Sequence, residues 1–121
     1  VLGPLDLAGR SLLDIGAWNG FWSFEAKRRG AGRVGALDDY TWRHPDFRGR
    51  ETFDLARGAL GLEVEAVEAD VTALAPDFGR FDAVLFLGVF YHLEDPLPVF
   101  RTLRALTGRA LVLETHQAML D

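Results

Sequence analysis

The chain has 121 residues, of which 49% are hydrophobic and 26% are charged, and its formal net charge is −5. That length suits one domain and is too short for two. The acidic balance argues against a stand-alone nucleic-acid-binding module, because such a module needs a basic face to neutralise phosphates.

Other features of the composition bear on location and context. The sequence has no cysteine, which excludes disulfides, thiolate metal ligands and cysteine nucleophiles, and no metal site is predicted. No apolar run approaches the ~18 to 20 residues of a membrane helix, and no signal peptide opens the chain. We therefore expect a cytoplasmic protein without a membrane partner. Because the first residue is Val1 and a strand-like run lies close to the other end, we expect residues 1–121 to be one domain of a longer polypeptide.

Short apolar runs alternate with helical patterns, separated by glycine, proline and aspartate. This alternation is typical of a parallel sheet whose strands are connected by helices. Several runs are continuously apolar, as expected for strands that helices cover on both faces. The predicted strands are residues 11–15, 33–37, 63–68, 83–87 and 110–113.

Three segments between these strands have the apolar spacing of helices, and the first two end at a glycine suited to a left-handed C-terminal cap. The third begins with Asp95 as N-cap and Pro96 in its first turn. The connection over residues 72–80 contains Pro76 and can hold only a turn or a short helix. We therefore predict a doubly wound α/β fold with five strands. The helices are predicted over residues 20–29, 50–60 and 96–106.

The loop after the first strand carries the first chemical signal, since ligands of doubly wound sheets bind beyond the carboxyl ends of the strands. Gly16 and Gly20 allow positive φ angles and close approach of a ligand. The following helix offers free amides to a carboxylate, and Asp14 can accept from an ammonium group. The methionine end of S-adenosylmethionine has both groups; the alternative is a plain strand–helix turn. The spacing differs from Gly-x-Gly-x-x-Gly, which disfavours a dinucleotide site.

Acidic residues follow the second and third strands. Asp38 ends the second apolar run and is favoured over Asp39 as the acceptor for both ribose hydroxyls, the alternative being a solvated loop acid. Asp70 follows the third strand and can accept from the adenine amine, while the N–H of Val71 reaches a ring nitrogen. The alternative for Asp70 is a helix N-cap.

The fourth strand ends at Leu87 and Gly88, whose main-chain carbonyls can face the ammonium group of the ligand. Tyr91 and His92 follow where a methyl acceptor would lie, and both are candidate catalytic residues. His92 would act as a general base or orient the acceptor, and the alternative is a structural hydrogen bond.

Together these four sites resemble the Rossmann-like, S-adenosylmethionine-dependent methyltransferase superfamily over nearly the whole chain. The resemblance implies that Asp38 holds the ribose, Asp70 reads the adenine, and the loop of Gly16 and Gly20 wraps the methionine moiety. The chain departs from the family pattern at Trp18, which replaces the usual middle glycine. This bulky side chain must point away from the cofactor or cover it.

A narrower resemblance lies in residues 87–97 and 111–115. These segments are similar to the family that completes 5-oxyuridine modification at the tRNA wobble position by transferring a carboxymethyl group from a carboxylated cofactor. The basic residues and extensions that serve these functions in that family lie largely outside this chain, so neither tRNA nor the carboxylated cofactor is inferred directly.

The sequence thus predicts an S-adenosylmethionine-dependent methyltransferase that acts on a small molecule or on a tRNA wobble uridine. The acidic balance slightly favours the small molecule. Three alternatives remain: a cofactor-binding module without turnover, carboxymethyl transfer to tRNA, and an NAD-dependent oxidoreductase on the same kind of sheet.

Overall fold

The computed structural model describes residues 1–115. Within these residues, five parallel strands form one sheet in the order β3-β2-β1-β4-β5, which confirms the five predicted strands and the doubly wound class. The strands are β1 Ser11–Ile15, β2 Arg33–Asp38, β3 Glu65–Glu68, β4 Phe81–Leu87 and β5 Thr107–Glu114. The helices are α1 Phe21–Arg28, α2 Tyr40–Arg43, α3 Gly49–Leu60 and α4 Pro96–Leu106, with 3₁₀ turns at Val71–Ala73 and Phe90–His92.

Helices cover both faces of the sheet. Side chains alternate between the faces along each strand, and both sets are apolar, so each face needs a covering layer. On one face Leu12 and Leu85 pack in the same cluster as Phe24 of α1 and Phe53 of α3. The other face packs against α4 and contributes Leu13, Ile15, Val84 and Phe86 to a second cluster that includes Leu103 and Leu106. Each face therefore buries its own apolar layer, as the continuously apolar strands predicted.

The strands differ from prediction at their ends. β4 begins two residues earlier than expected, at Phe81, whose ring is fully buried in the α4-side cluster. β5 begins at Thr107, directly after α4, so the helix passes into the strand without the loop that Gly108 suggested. β3 is shorter than predicted, beginning at Glu65.

The predicted helix signals are confirmed at their caps. Asp95 accepts a 3.3 Å hydrogen bond from the N–H of Leu97 at the start of α4. Gly61 takes a left-handed conformation, with φ of 64°, at the end of α3. Within residues 1–115, none of the helices is long and apolar enough to cross a membrane.

The strand order places a topological switch at β1. From β1 the chain proceeds through β2 to β3 on one side, and β4 and β5 lie on the other side. In open parallel sheets such a point opens a crevice beyond the carboxyl ends of the two central strands. The loops after β1 and β4 therefore border this crevice.

Candidate cofactor site

The loop after β1 is tied to its neighbouring strand by main-chain hydrogen bonds. The amides of Gly16 and Ala17 both donate to the carbonyl of Leu37, at 2.8 and 3.1 Å. Gly16 has a φ of 80°, and a Cβ there would lie 2.5 Å from Cγ2 of Val89. Glycine at this position therefore lets the β1 loop approach the segment after β4, across the switch point.

Gly20 closes the loop and begins α1. Its φ is 86°, and a Cβ there would lie 2.6 Å from ring carbons of Phe24 and Phe53. At both positions only glycine fits the local packing. This agrees with the alternative interpretation, a plain strand–helix turn. Their geometry is compatible with both functions.

Trp18 occupies the middle of this loop in a left-handed conformation, with φ of 50°. Such a conformation is strained for a residue with a side chain and persists only where its surroundings hold it. Trp18 is 46% exposed, and its indole ring meets the ring of Phe47 edge to face, with centroids 5.3 Å apart. The side chain is therefore directed to the segment between α2 and α3.

Asp14 is the next-to-last residue of the central strand β1 and is buried, with 2% of the residue exposed. The hydroxyl of Ser23 donates a 2.7 Å hydrogen bond to its Oδ2. The pKa of Asp14 is raised to about 6, mainly by burial; the hydrogen bond from Ser23 opposes the increase and the charge of Asp38 adds to it. Ser23 was not among the site residues predicted from the sequence, although a lone polar residue between Trp22 and Phe24 was a usable signal.

Asp38 is buried at the tip of β2, and its carboxylate organises the main chain around it. One oxygen accepts from the amide of Trp18 at 2.9 Å. The other accepts from the amides of Asp39 and Thr41, at 2.8 and 3.2 Å. A carboxylate has about four acceptor positions, so one remains for a further donor such as a ribose hydroxyl. The ribose role of Asp38 stays a prediction.

Asp70 and Val71 lie at the same edge of the sheet. The end of β3 is drawn to that of β2 by a 3.1 Å hydrogen bond from the amide of Ala69 to the carbonyl of Asp38. Asp70 Oδ1 accepts from the amide and hydroxyl of Thr72, at 2.8 and 2.7 Å. The N-cap alternative is thus realised, and the adenine role stays a prediction.

The segment after β4 carries the two candidate catalytic residues. Gly88 has a φ of 70°, and a Cβ there would lie 3.6 Å from the hydroxyl of Tyr91. Tyr91 and His92 are exposed on the 3₁₀ turn, with ring centroids 4.4 Å apart. Leu87 is partly buried at the end of the strand. The structure thus places this segment beside the β1 loop, as the topology required.

The charge at this edge is mainly negative, since Asp14, Asp38, Asp39 and Asp70 follow or end three adjacent strands. Nε of Arg43 lies 2.6 Å from Asp39 and partly offsets the charge. An acidic rim attracts a cationic ligand such as one with an ammonium and a sulfonium group. Among residues 1–115, the histidine and acidic side chains form no group of three or more that would hold a metal ion.

Comparison with known proteins places the chain in a class. Residues 13–109 match the family described as methyltransferase domain, and the chain belongs to that family. S-adenosylmethionine, the cofactor predicted from the sequence, is the methyl donor of this class. The edge described above fits it, offering acidic acceptors for hydroxyl and ammonium groups and a glycine loop with left-handed backbone.

The chain is also similar to individual proteins. It is 33% identical over 102 residues to the tRNA U34 carboxymethyltransferase of Campylobacter hominis, covering 84% of the chain and 33% of that protein. For the Campylobacter concisus protein of the same name, the identity is 27% over 125 residues, covering 100% of the chain and 41% of the relative. The narrower resemblance is thus confirmed as a similarity, and the chain spans well under half the length of these relatives.

Solved structures confirm the fold. An S-adenosylmethionine-dependent methyltransferase from Mesorhizobium loti superposes with a TM-score of 0.67 at 23% identity, covering 85% of this chain and 44% of that one. Coclaurine N-methyltransferase bound to N-methylheliamine and SAH gives a TM-score of 0.70 at 20% identity, covering 87% of this chain and 29% of that one.

Proposed function

We propose that this protein is an S-adenosylmethionine-dependent methyltransferase and that residues 14–92 contain most of its cofactor site. The observation that carries the proposal is the convergence at one sheet edge of the loop after β1 with Asp38 and with Gly88. Hydrogen bonds from Gly16 to Leu37 and from Trp18 to Asp38 join the first two, and the packing of Gly16 near Val89 joins the third.

Each residue has a distinct role in the proposal. Asp38 accepts from the ribose hydroxyls, and Asp70 and the amide of Val71 read the adenine. Asp14, when ionised, supports the ammonium group from the end of β1, beneath the loop. The carbonyls of Leu87 and Gly88 face the same group from β4.

The bound cofactor would supply an electrophilic methyl group on a sulfonium, with a neutral thioether as leaving group. Tyr91 and His92 border the place where the acceptor would bind. His92 would act as a general base toward the acceptor or orient it by a hydrogen bond. Since little acid–base chemistry is required, most of the acceleration would come from holding donor and acceptor in line. Phe90 or Tyr91 near the sulfonium would add a cation–π attraction of about 1 kcal/mol, whereas the ring of Trp18 packs on Phe47 instead.

Binding of S-adenosylhomocysteine, measured by isothermal titration, tests the cofactor assignment. We expect the protein to bind this product and Asp38→Ala to weaken binding by roughly tenfold or more, because a charge-assisted hydrogen bond is lost. Asp77→Ala, at an exposed acid in the turn before β4, is the control and should bind normally. A folded protein that does not bind, or binding unaffected by Asp38→Ala, would refute the assignment.

The acceptor is a second question. The net charge of −5 favours a small molecule, whereas similarity to the proteins named tRNA U34 carboxymethyltransferase supports carboxymethyl transfer to a tRNA wobble uridine. Either reaction fits a protein of the cytoplasm, which is the location we propose.

Paired assays separate the two acceptors. The full-length protein is incubated with labelled S-adenosylmethionine, or with its carboxylated form, and with either bulk tRNA or a small-molecule extract. Label from the ordinary cofactor in the small-molecule fraction supports methyl transfer. Label in tRNA only from the carboxylated cofactor supports the second candidate.

A further inference from the structure

Both backbone polar groups of Trp18 are bonded to the segment at the end of β2. Its N–H donates to Oδ2 of Asp38 at 2.9 Å, and its carbonyl accepts from Nε1 of Trp42 at 2.7 Å. Earlier in the loop, Gly16 is held instead by a main-chain bond to Leu37. At Trp18, two side chains therefore add to the main-chain bonds that shape the loop.

The backbone conformation of Trp18 is one that needs support from its surroundings. Its φ of 50° lies in the left-handed region, which residues with a side chain rarely adopt. Without external bonds the backbone would relax toward a right-handed or extended conformation. A 2.8 Å main-chain bond from the amide of Gly20 to the carbonyl of Ala17 closes the turn around Trp18, and the bonds to Asp38 and from Trp42 fix the polar groups of Trp18 within that turn.

Trp42 is itself well fixed. Its side chain is 6% exposed, the ring of Phe53 packs with its centroid 5.1 Å away, and the guanidinium carbon of Arg50 lies 5.0 Å from the indole centroid. The indole N–H is a donor only, and a donor left unpaired in such a position is costly. Trp42 and the carbonyl of Trp18 are therefore held together as a pair.

We propose that Trp42 is a positioning residue for cofactor binding: through its hydrogen bond to Trp18, it holds the β1 loop in the conformation that receives S-adenosylmethionine. The inference rests on the proposed function, because that loop is assigned to the methionine end of the cofactor. Trp42 acts through Trp18, so its loss changes affinity for the cofactor by changing the loop.

The first test is Trp42→Phe, which keeps an aromatic ring and removes the N–H. We expect the dissociation constant for S-adenosylhomocysteine to rise by about fivefold or more, the effect of losing one hydrogen bond. Trp22→Phe makes the same chemical change on α1, and its affinity should stay within about twofold of the parent. Titrations are run well below the melting temperature of each variant, so that only folded protein is compared.

A second background separates positioning from general damage to packing. Glycine adopts positive φ without strain, so in Trp18→Gly the left-handed conformation no longer needs the hydrogen bond from Trp42 to stabilise it. Trp42→Phe should therefore cost much less affinity in the Trp18→Gly background than in the parent. An equal loss in both backgrounds, or an unchanged dissociation constant for Trp42→Phe in the parent, overturns the proposal.

Amide hydrogen exchange tests, without any ligand, whether Trp42 stabilises the loop at Trp18. The N–H of Trp18 should exchange about tenfold faster in Trp42→Phe than in the parent, because the local opening becomes easier. Unchanged exchange would overturn the proposed role of Trp42. Failure of the unaltered protein to bind S-adenosylhomocysteine would instead refute the proposed function, so the two failures are distinguishable.

Discussion

The hydroxyl of Ser23 donates a 2.7 Å hydrogen bond to Oδ2 of Asp14, joining the first turn of α1 to the buried end of β1. Neither group is accessible to solvent, since Ser23 is 0% exposed and Asp14 is 2% exposed. The pair lies at the base of the loop assigned to the cofactor. Protonation of Asp14 therefore changes both the stability of the domain and the negative charge that lies beneath the loop.

Asp14→Asn tests the cost of burying this carboxylate. The pKa of Asp14 is about 6 against an ordinary 3.8, so the folded state favours the neutral form and stability falls as pH rises through this window. The full difference corresponds to about 3 kcal/mol. We expect Asp14→Asn, which keeps an acceptor for Ser23, to be more stable than the parent above pH 6 and similar to it near pH 4, measured by urea unfolding.

Asp82→Asn is a control of opposite sign. Hydrogen bonds from the amide and hydroxyl of Ser11 hold the pKa of Asp82 below its ordinary value. Asp82→Asn should therefore lose stability at neutral pH, and the deficit should shrink as pH falls below the ordinary pKa. The same pH slope in both variants would contradict the assignment of the Asp14 pKa.

Cofactor binding should follow the same titration. An ionised Asp14 attracts the ammonium group, so affinity for S-adenosylhomocysteine should fall by up to about tenfold per pH unit well below pH 6. Binding isotherms between pH 5 and pH 8 measure this. In Asp14→Asn the pH dependence from this group should disappear, and its persistence would exclude Asp14 as the source.

Gly20→Ala should be strongly destabilising. The added methyl would lie 2.6 Å from ring carbons of Phe24 and Phe53, in a backbone with φ of 86°. We expect a loss of about 2 to 4 kcal/mol from overpacking and strain together. Gly58→Ala in α3 has nothing within 4 Å and should stabilise the protein by about 0.5 to 1 kcal/mol. Thermal denaturation of the two variants should thus give shifts of opposite sign.

Asp70→Asn separates cap from adenine contact. Asparagine keeps an acceptor for the amide of Thr72, so the melting temperature should be nearly unchanged. It also offers a donor where a carboxylate oxygen would accept from the adenine amine, and affinity for S-adenosylhomocysteine should fall by about five- to tenfold. Equal affinity of parent and variant for S-adenosylhomocysteine would exclude the adenine contact and leave Asp70 with the N-cap role alone.

His92→Ala tests the acceptor side. Because His92 follows β4 on an exposed turn, its loss should leave cofactor affinity and the melting temperature close to those of the parent. We expect kcat to fall by about 10²-fold if His92 transfers a proton. A fall in kcat of less than about twofold would remove it from the reaction.

The sequence determined the architecture of the sheet. Continuous apolar runs, punctuated by glycine and proline, identified five strands and three long helices, because burial on both faces leaves a plain compositional pattern. Asp14, Asp38 and Gly88 could also be placed at one edge, since parallel strands bring their carboxyl ends together. The strand ends shifted by a few residues, as at Phe81, where burial against α4 extends pairing beyond the apolar run.

Tertiary structure decided how the candidate site is held. The helix α2 is a single turn, Tyr40–Arg43, and so short a helix has no periodicity to detect and forms through its contacts. The hydrogen bonds from Trp42 to Trp18 and from Ser23 to Asp14 join residues on different elements, at distances that spacing along the chain does not encode. Local pattern thus specifies which elements form, whereas the partners of each buried polar group are specified only when the elements pack.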